Sequence, residues 1–299
     1  MAHAVSGTGR AGRLGSLLWR RPGLSLAGLV LPPVAWMGLI YIAALAVLFI
    51  AAFWSVDDFT GEIVRNWTFA NFQEVATSPI YQKIALRTVA MAALVTLTDA
   101  ILAFPMAYFM ARIAGPRLRL ALITAVVLPL WSSYLARVYA WRLILAHDGV
   151  LNWALRGLGL PGAEIGYTNT AMWIVFSYIW LPFMIMPVYA ALERIPANYF
   201  EASQDLGGRG MRTFLKVVLP LSMPGLVAGS IFTFSLTLGD YITPVLVGGP
   251  GSDFIGNVVY ANVGVANNIP FAAAYATVPL VLMAVYLWLA RRVGAFDVM

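Results

Sequence analysis

Six long apolar runs constrain the fold of this chain more than any other feature of its sequence. The hydrocarbon core of a bilayer is about 30 Å thick, and an α-helix needs about 20 apolar residues to cross it. Only helices and closed barrels satisfy the backbone polar groups inside that core. We therefore predict an all-α integral membrane protein with six transmembrane helices. The runs cover residues 24–54, 84–113, 120–145, 169–192, 222–246 and 271–290.

The charged residues are distributed as six crossings require. Only 11% of the residues are charged, whereas soluble domains contain about 25%. Most of the 19 Lys and Arg residues lie in the termini and in the two loops that share their side of the membrane. The positive-inside rule makes this side the cytoplasm. The net charge of +6 therefore reports topology and does not indicate a nucleic-acid partner.

The runs divide the chain into a cytoplasmic tail at residues 1–23, a transmembrane domain at residues 24–292 and a cytoplasmic tail at residues 293–299. Pro32-Pro33 can start the regular part of the first helix. Residues 55–82, 147–168 and 247–270 are predicted to lie outside the cell. Within the second of these loops, residues 150–158 have the amphipathic pattern of a helix that lies along the membrane interface.

Several classes of chemistry are excluded or disfavoured by composition. The chain has no Cys and two His, which excludes disulfides, thiolate metal sites and Cys/His nucleophile pairs and leaves no expected metal site. Neither Lys83 nor Lys216 follows a glycine, so no loop of the chain can cradle nucleotide phosphates. HExxH and GxSxG motifs are also absent. A membrane-embedded enzyme is therefore disfavoured against a transport protein.

A polar segment at residues 193–221 separates the fourth and fifth runs. Asn198 and Glu201 have the spacing of a capping box, and Leu206-Gly207-Gly208 forms a favourable helix end. We predict a short helix at residues 199–206, a turn through Gly210 and a second helix from about Met211. Two short helices that meet at a glycine turn form a compact projection to which a partner can bind.

The spacing in this segment resembles a motif of ABC importer permeases. Glu201-Ala202-Ser203, Gly207 and Val217-x-Leu219-Pro220 match the EAA loop of that family, with size-conservative departures at Ser203 and Val217. The resemblance implies that the helix sits in a groove of a separate ATP-hydrolysing subunit. The residues that it assigns to this contact are Glu201, Ala202, Ser203, Asp205, Gly207 and Arg209.

Prolines and glycines predict where the membrane helices bend or approach one another. Pro129 lies inside the third run, where a proline frees a backbone carbonyl, so the outer end of that span is expected to be bent and partly hydrated. Pro182 and Pro187 lie in the fourth run. Gly225 and Gly229 have the GxxxG spacing that allows another helix to pack closely.

Ionisable and aromatic residues within the runs are candidates for a solute path. Asp240 and Tyr241 precede Pro244 at a predicted interruption of span five, although Asp240 could instead cap a helix. Asp99 lies in the middle of span two and could equally be a packing residue that is hydrogen-bonded to Ser, Thr or Tyr of another helix. Trp131 and Tyr134 follow Pro129 and could face Asp240, or could pack as membrane aromatics usually do.

Two more residues of span three, Arg137 and Arg142, are expected to extend to the interface. Both lie toward its outer end.

Three further segments, at residues 128–141, 181–189 and 239–249, resemble the first permease subunit of spermidine/putrescine-type ABC importers. This resemblance implies a multi-pass protein of the bacterial inner membrane that works by alternating access. Its implied partners are a second permease, two copies of an ABC ATPase, an extracytoplasmic substrate-binding protein and membrane lipid. ATP and Mg would be bound by the ATPase, and this chain would hold no cofactor.

Two alternatives remain open at the level of sequence. One is an ABC permease for another small solute, such as an amino-acid derivative or opine. The other is a secondary transporter driven by an ion gradient, which would need carboxylates such as Asp99 and Asp240 inside the membrane.

Overall fold

The computed structural model describes residues 22–57 and 59–292. Apart from Pro22 and Gly23, the predicted tails lie outside the described residues. The chain forms two compact units, Met1–Ala51 and Ala52–Met299. The described part of the first unit is helix α1, Pro22–Ala51. Pro32 and Pro33 lie inside α1, so the prediction that they start the regular helix is wrong. Nearby apolar side chains such as Trp36 and Met37 are exposed.

Helices dominate the second unit. In chain order they are α2 (Ala70–Thr77), α3 (Pro79–Tyr108), α4 (Pro116–Val127), α5 (Tyr134–Leu145), α6 (Val150–Gly157), α7 (Asn169–Glu193), α8 (Ala197–Asp205), α9 (Met211–Thr213), α10 (Leu219–Gly239), α11 (Ile242–Val247), α12 (Ile255–Gly264) and α13 (Ile269–Arg292). Two π-helical segments extend these helices. Phe109–Ile113 follows α3, and Phe214–Val218 joins α9 to α10.

Five helical stretches of the described residues are long and apolar enough to cross a membrane, and a sixth crossing is formed if a bent pair counts as one span. The pair is Pro116–Trp131 with Tyr134–Gly157, bent by 95°. The 3₁₀ turn Leu128–Trp131 contains Pro129 and lies at the bend. The predicted bend in span three is thus confirmed, and the missing proline N–H explains it.

The boundaries of span five differ from those predicted. The helix predicted to start near Met211 is confirmed. It continues through the π-helical segment to Gly239, so span five is not a separate helix that begins near residue 222 and reaches residue 246. Pro224 lies inside the helix. At Asp240 and Tyr241 the helix is interrupted, and α11 follows. The interruption predicted before Pro244 is therefore present.

The loops contain more structure than their composition indicated. A short antiparallel hairpin pairs Ser55–Val56 with Ile63–Val64. In its turn Asp57 accepts hydrogen bonds from the backbone N–H groups of Phe59 and Thr60, which lower the pKa of its carboxyl. Helices α2 and α12 were not predicted, whereas α6 matches the amphipathic piece expected at residues 150–158.

Helix α7 forms the centre of the second unit, packed between α3 and α10. A Cβ atom on Gly229 would lie 2.6 Å from the sulfur of Met184, and one on Gly225 would lie 2.6 Å from the Pro187 carbonyl oxygen. Real Cβ contacts are longer, so only glycine allows α7 and α10 to approach this closely. The close approach predicted from the GxxxG spacing is confirmed.

Candidate functional site

The first candidate site is helix α8, which we call the coupling helix. It begins at Ala197 after Pro196, and no side chain caps its first turn. The predicted capping box is wrong because Asn198 already lies within the helix, where its side chain cannot take the N-cap position. Pro196 replaces it as the start signal, since its φ of −66° is already suited to a helix start.

The turn after the coupling helix depends on glycine at two positions. Gly207 has a φ of +73°, a conformation that costs other residues energy. Gly208 is packed so tightly that a Cβ there would lie 2.6 Å from the carbonyl oxygen of Ser203. The Ser203 and Thr213 hydroxyls lie 2.9 Å apart and bond across the turn. The turn therefore holds a fixed shape.

Most residues that the EAA resemblance assigned to a partner contact are exposed on this projection. Glu201, Ala202, Asp205, Gly207 and Arg209 are exposed, and Ser203 is half-buried because of its bond to Thr213. Leu206 is 86% exposed and was not singled out from the sequence. An apolar side chain in this position is a further candidate for a contact with a partner.

Two arginines on either side of the turn between α3 and α4 anchor the start of the coupling helix. The Arg112 guanidinium donates to the carbonyl oxygens of Leu192 and Ile195 and lies 4.8 Å from the ring centroid of Phe200. Arg119 forms a 3.5 Å salt bridge with Glu193 at the end of α7. From the sequence, these arginines indicated only which side of the membrane is cytoplasmic, because their partners lie more than 70 residues away.

The second candidate site is a cavity of about 310 Å³ beside the interruption of span five. Asp240, Tyr241 and Tyr134 line it, so the structure brings together three of the predicted path residues. Trp180 also lines it and stacks on Tyr134, with ring centroids 5.7 Å apart. Trp180 is not among the path residues predicted from the sequence.

The carboxylate of Asp240 is hydrogen-bonded at both oxygens. Oδ1 accepts from the backbone N–H groups of Ile242 and Thr243 at 2.8 and 3.0 Å. Oδ2 accepts from the Thr243 hydroxyl at 3.1 Å and from the Tyr134 hydroxyl. Asp240 thus has the geometry of a cap for α11 while it forms part of the cavity wall, and 8% of its surface is exposed.

The remaining candidates of the path lie elsewhere. Trp131 is 85% exposed at the bend of span three and does not line the cavity. Asp99 is completely buried between α3 and α7, beside the Ser177 hydroxyl. Among the described residues, neither oxygen of Asp99 nor Ser177 Oγ has a hydrogen-bond partner. Asp99 therefore lies beside a serine, but the hydrogen bond that the packing alternative requires is absent among the described residues.

The two arginines of span three form no catalytic arrangement with the described residues around them. Arg142 donates to the Tyr167 hydroxyl at 3.1 Å, and Arg137 Nε has no partner within the described ranges. No group of three or more His, Cys, Asp or Glu residues that could hold a metal ion occurs in the part of the chain that the structure describes.

Comparison with known proteins shows a family. The model of the binding-protein-dependent transport system inner membrane component family matches residues 22–295. The inner membrane ABC transporter permease protein YdcU of Escherichia coli K12 is 47% identical over 96% of this chain and 95% of its own length. The spermidine/putrescine transport system permease protein PotB of the same strain is 33% identical over 72% of this chain and 79% of its own.

Solved structures show the same fold. A chain of a bacterial ABC transporter involved in the import of the acidic polysaccharide alginate superposes with a TM-score of 0.74 at 19% identity, over 94% of this chain and 99% of that chain. A chain of the MetNI methionine ABC transporter, in an inward-facing conformation, gives a TM-score of 0.55 at 19% identity, over 74% and 97%.

Proposed function

This chain belongs to the family of binding-protein-dependent transport system inner membrane components, and from that premise we propose that it carries a small organic amine across the inner membrane. It is an all-α, multi-pass permease of an ABC importer. The name of PotB specifies spermidine and putrescine for that relative. For this chain we propose a solute of the same class, a polyamine or related amine.

The observation that supports an amine is the wall of the 310 Å³ cavity, where Asp240 meets the stacked rings of Tyr134 and Trp180. A carboxylate offers an ammonium group its opposite charge. Aromatic faces attract a cation by about 0.5–2 kcal/mol per contact. Such groups would offset part of the desolvation cost that an amine meets inside a membrane.

The hydrogen bonds of Asp240 limit how strongly this site can bind. A carboxylate has about four acceptor positions, and the four donors described above occupy them. An ammonium group must therefore displace a donor such as the Tyr134 hydroxyl or remain at the aromatic faces. Weak binding suits a transit site, because the solute has to leave it again.

We further propose that ATP drives this movement through the coupling helix. A separate ATPase, present in two copies, would bind ATP and Mg and hold Glu201, Ala202, Ser203, Asp205, Gly207 and Arg209. A second permease would form the other half of the path, and an extracytoplasmic protein would deliver the solute. The anchors at Arg112 and Arg119 support this role, since a helix that transmits motion must be firmly attached to the spans.

Uptake by the assembled importer in proteoliposomes tests the amine assignment. We expect Asp240→Asn to lower uptake of putrescine and spermidine about tenfold, because an amide has no charge to offer the ammonium group. ATP hydrolysis without solute should stay near the wild-type rate. Glu62→Gln, which changes an exposed carboxylate on the hairpin, is the matched control and should transport normally.

The outcomes separate the two roles of Asp240. Loss confined to amines supports a charge contact. Equal loss for every solute indicates that Asp240 serves only as the cap of α11, and unchanged uptake removes it from the path.

One observation favours the alternative of an amino-acid derivative. Arg137 follows Tyr134 by three residues on α5, so both lie on the same side of the helix. Its Nε atom has no partner among the described residues. A solute with a carboxylate and an ammonium group could use both Arg137 and Asp240. In the same assay, selective loss of a zwitterionic solute in Arg137→Gln would support this alternative.

A further inference from the structure

A groove of about 420 Å³ lies between the coupling helix and the first turns of span five. Arg212 and Lys216 line it, one helical turn apart on the same side of the chain. Tyr199, Ala202, Ser203 and Leu206 line it from the coupling helix, so the groove borders the surface that we propose for the ATPase. No Asp or Glu residue contributes to its described walls, so the groove is positively charged.

Neither cation of this groove is paired within the described residues. The described part of the chain contains two salt bridges, and both join other residues: Arg119 with Glu193 and Arg156 with Asp148. Like charges four residues apart on a helix repel each other. An anion between Arg212 and Lys216 would convert that repulsion into two attractive contacts.

A second, smaller groove of about 220 Å³ shares Tyr199 with the first. Its walls are mostly apolar and include Ala191, Leu221 and Pro224, with Arg194 at one side. Pro224 lies eight residues beyond Lys216, or about 12 Å further along the helix. The pair of grooves thus presents basic groups at the start of span five and an apolar surface further along the same span.

We propose that the two grooves together hold one anionic phospholipid. Its phosphate lies between Arg212 and Lys216, and one acyl chain follows Leu221 and Pro224. Basic groups at the cytoplasmic ends of membrane helices attract acidic headgroups. An acidic side chain of a partner protein could neutralise the two cations. The apolar surface, however, continues along span five at Leu221 and Pro224, away from the coupling helix, and that is why we favour a lipid.

Native mass spectrometry of the full chain, purified in mild detergent, tests this proposal. With added phosphatidylglycerol we expect one retained lipid per chain, and with added phosphatidylcholine none. The Arg212→Gln/Lys216→Gln variant should bind phosphatidylglycerol at least about tenfold more weakly, because two favourable charge contacts are lost. Arg291→Gln/Arg292→Gln, which removes two exposed cations at the end of α13, is the matched control and should bind like the wild type.

A second variant tests the acyl chain independently of charge. Leu221→Trp should fill the apolar groove and weaken lipid retention while both cations remain. Equal retention in all variants would overturn the proposal, as would displacement of the lipid by millimolar inorganic phosphate. If Arg212→Gln/Lys216→Gln keeps its lipid but no longer binds a purified ATPase, the groove is a protein contact and the lipid assignment is wrong.

Discussion

At the scale of single residues, Gly207 in the turn after the coupling helix is constrained by its backbone conformation. Its φ is +73°, and a Cβ there would meet nothing within 4 Å inside the chain. The glycine is therefore needed for its backbone conformation, which costs other residues about 1–2 kcal/mol. Because it has no side chain, it also leaves room for a partner to approach. A side chain at this position would therefore obstruct a partner and not this chain.

We predict that Gly207→Val reduces ATP-driven uptake at least about tenfold, because a β-branched residue adopts positive φ poorly. Gly207→Asn should lose less, since Asn tolerates this conformation. Copurification of the ATPase and uptake in proteoliposomes measure both variants. If Gly207→Val assembled and transported like the wild type, the assignment of the coupling segment would fail.

Asp99 is the buried carboxyl that has no partner among the described residues. An unsatisfied buried polar group costs about 1–3 kcal/mol, and such residues inside membranes are usually functional. We predict that Asp99→Asn does not lower the thermal unfolding midpoint of the purified chain but does reduce uptake. Ser177→Ala, which removes the hydroxyl beside Asp99, is compared with it in the same unfolding and uptake measurements. Normal uptake by Asp99→Asn would leave Asp99 as a packing residue.

At the scale of helices and their contacts, the packing of α7 against α10 depends on Gly225 and Gly229. We predict that Gly229→Leu destabilises the purified chain by about 1–3 kcal/mol, because overpacking forces neighbouring groups apart. Gly264→Leu is the control. Its position at the end of α12 has nothing within 4 Å, so the chain should be at least as stable as the wild type. Thermal unfolding in detergent compares them, and equal midpoints would contradict the packing argument.

The attachment of the coupling helix can be tested at Arg112. Its hydrogen bonds to two carbonyl groups are charge-assisted, and such bonds contribute about 1.5–3 kcal/mol each. We predict that Arg112→Gln increases hydrogen exchange in residues 197–205 and lowers uptake. Arg117→Gln, at an exposed arginine of the same loop, should change neither. Unchanged exchange in Arg112→Gln would show that other contacts hold the helix.

At the scale of the whole molecule, the absence of cysteine makes topology directly measurable. We predict that single cysteines at Glu62, Glu164 and Asp253 react with a membrane-impermeant thiol reagent added outside intact cells. Those at Arg117 and Arg209 should react only after the membrane is opened, because basic loops stay in the cytoplasm. All five positions are exposed in the described structure. Labelling of residue 209 from outside would contradict the six-span topology.

The sequence alone determined the features that depend on local chemistry. Apolar length marked five spans and a bent sixth candidate, and the fixed φ and missing N–H of Pro129 set the bend in that candidate. The glycines after Leu206 marked the turn that follows the coupling helix, whereas the coupling role of the segment from Glu201 to Pro220 stays a prediction. The interruption before Pro244 was also predictable, because it follows from nearby residues.

Only the tertiary structure decided which side chains meet across the membrane helices. It brought Tyr134 to Asp240 over a separation of 106 residues and placed Trp180 against Tyr134, while Trp131 stayed outside the cavity. It also joined Arg112 to the carbonyl groups before the coupling helix. Apolar periodicity specifies that a helix crosses the membrane but not its rotation about its own axis. That rotation is fixed by close packing against neighbours, as at Gly225 and Gly229, and it decides which polar groups face one another.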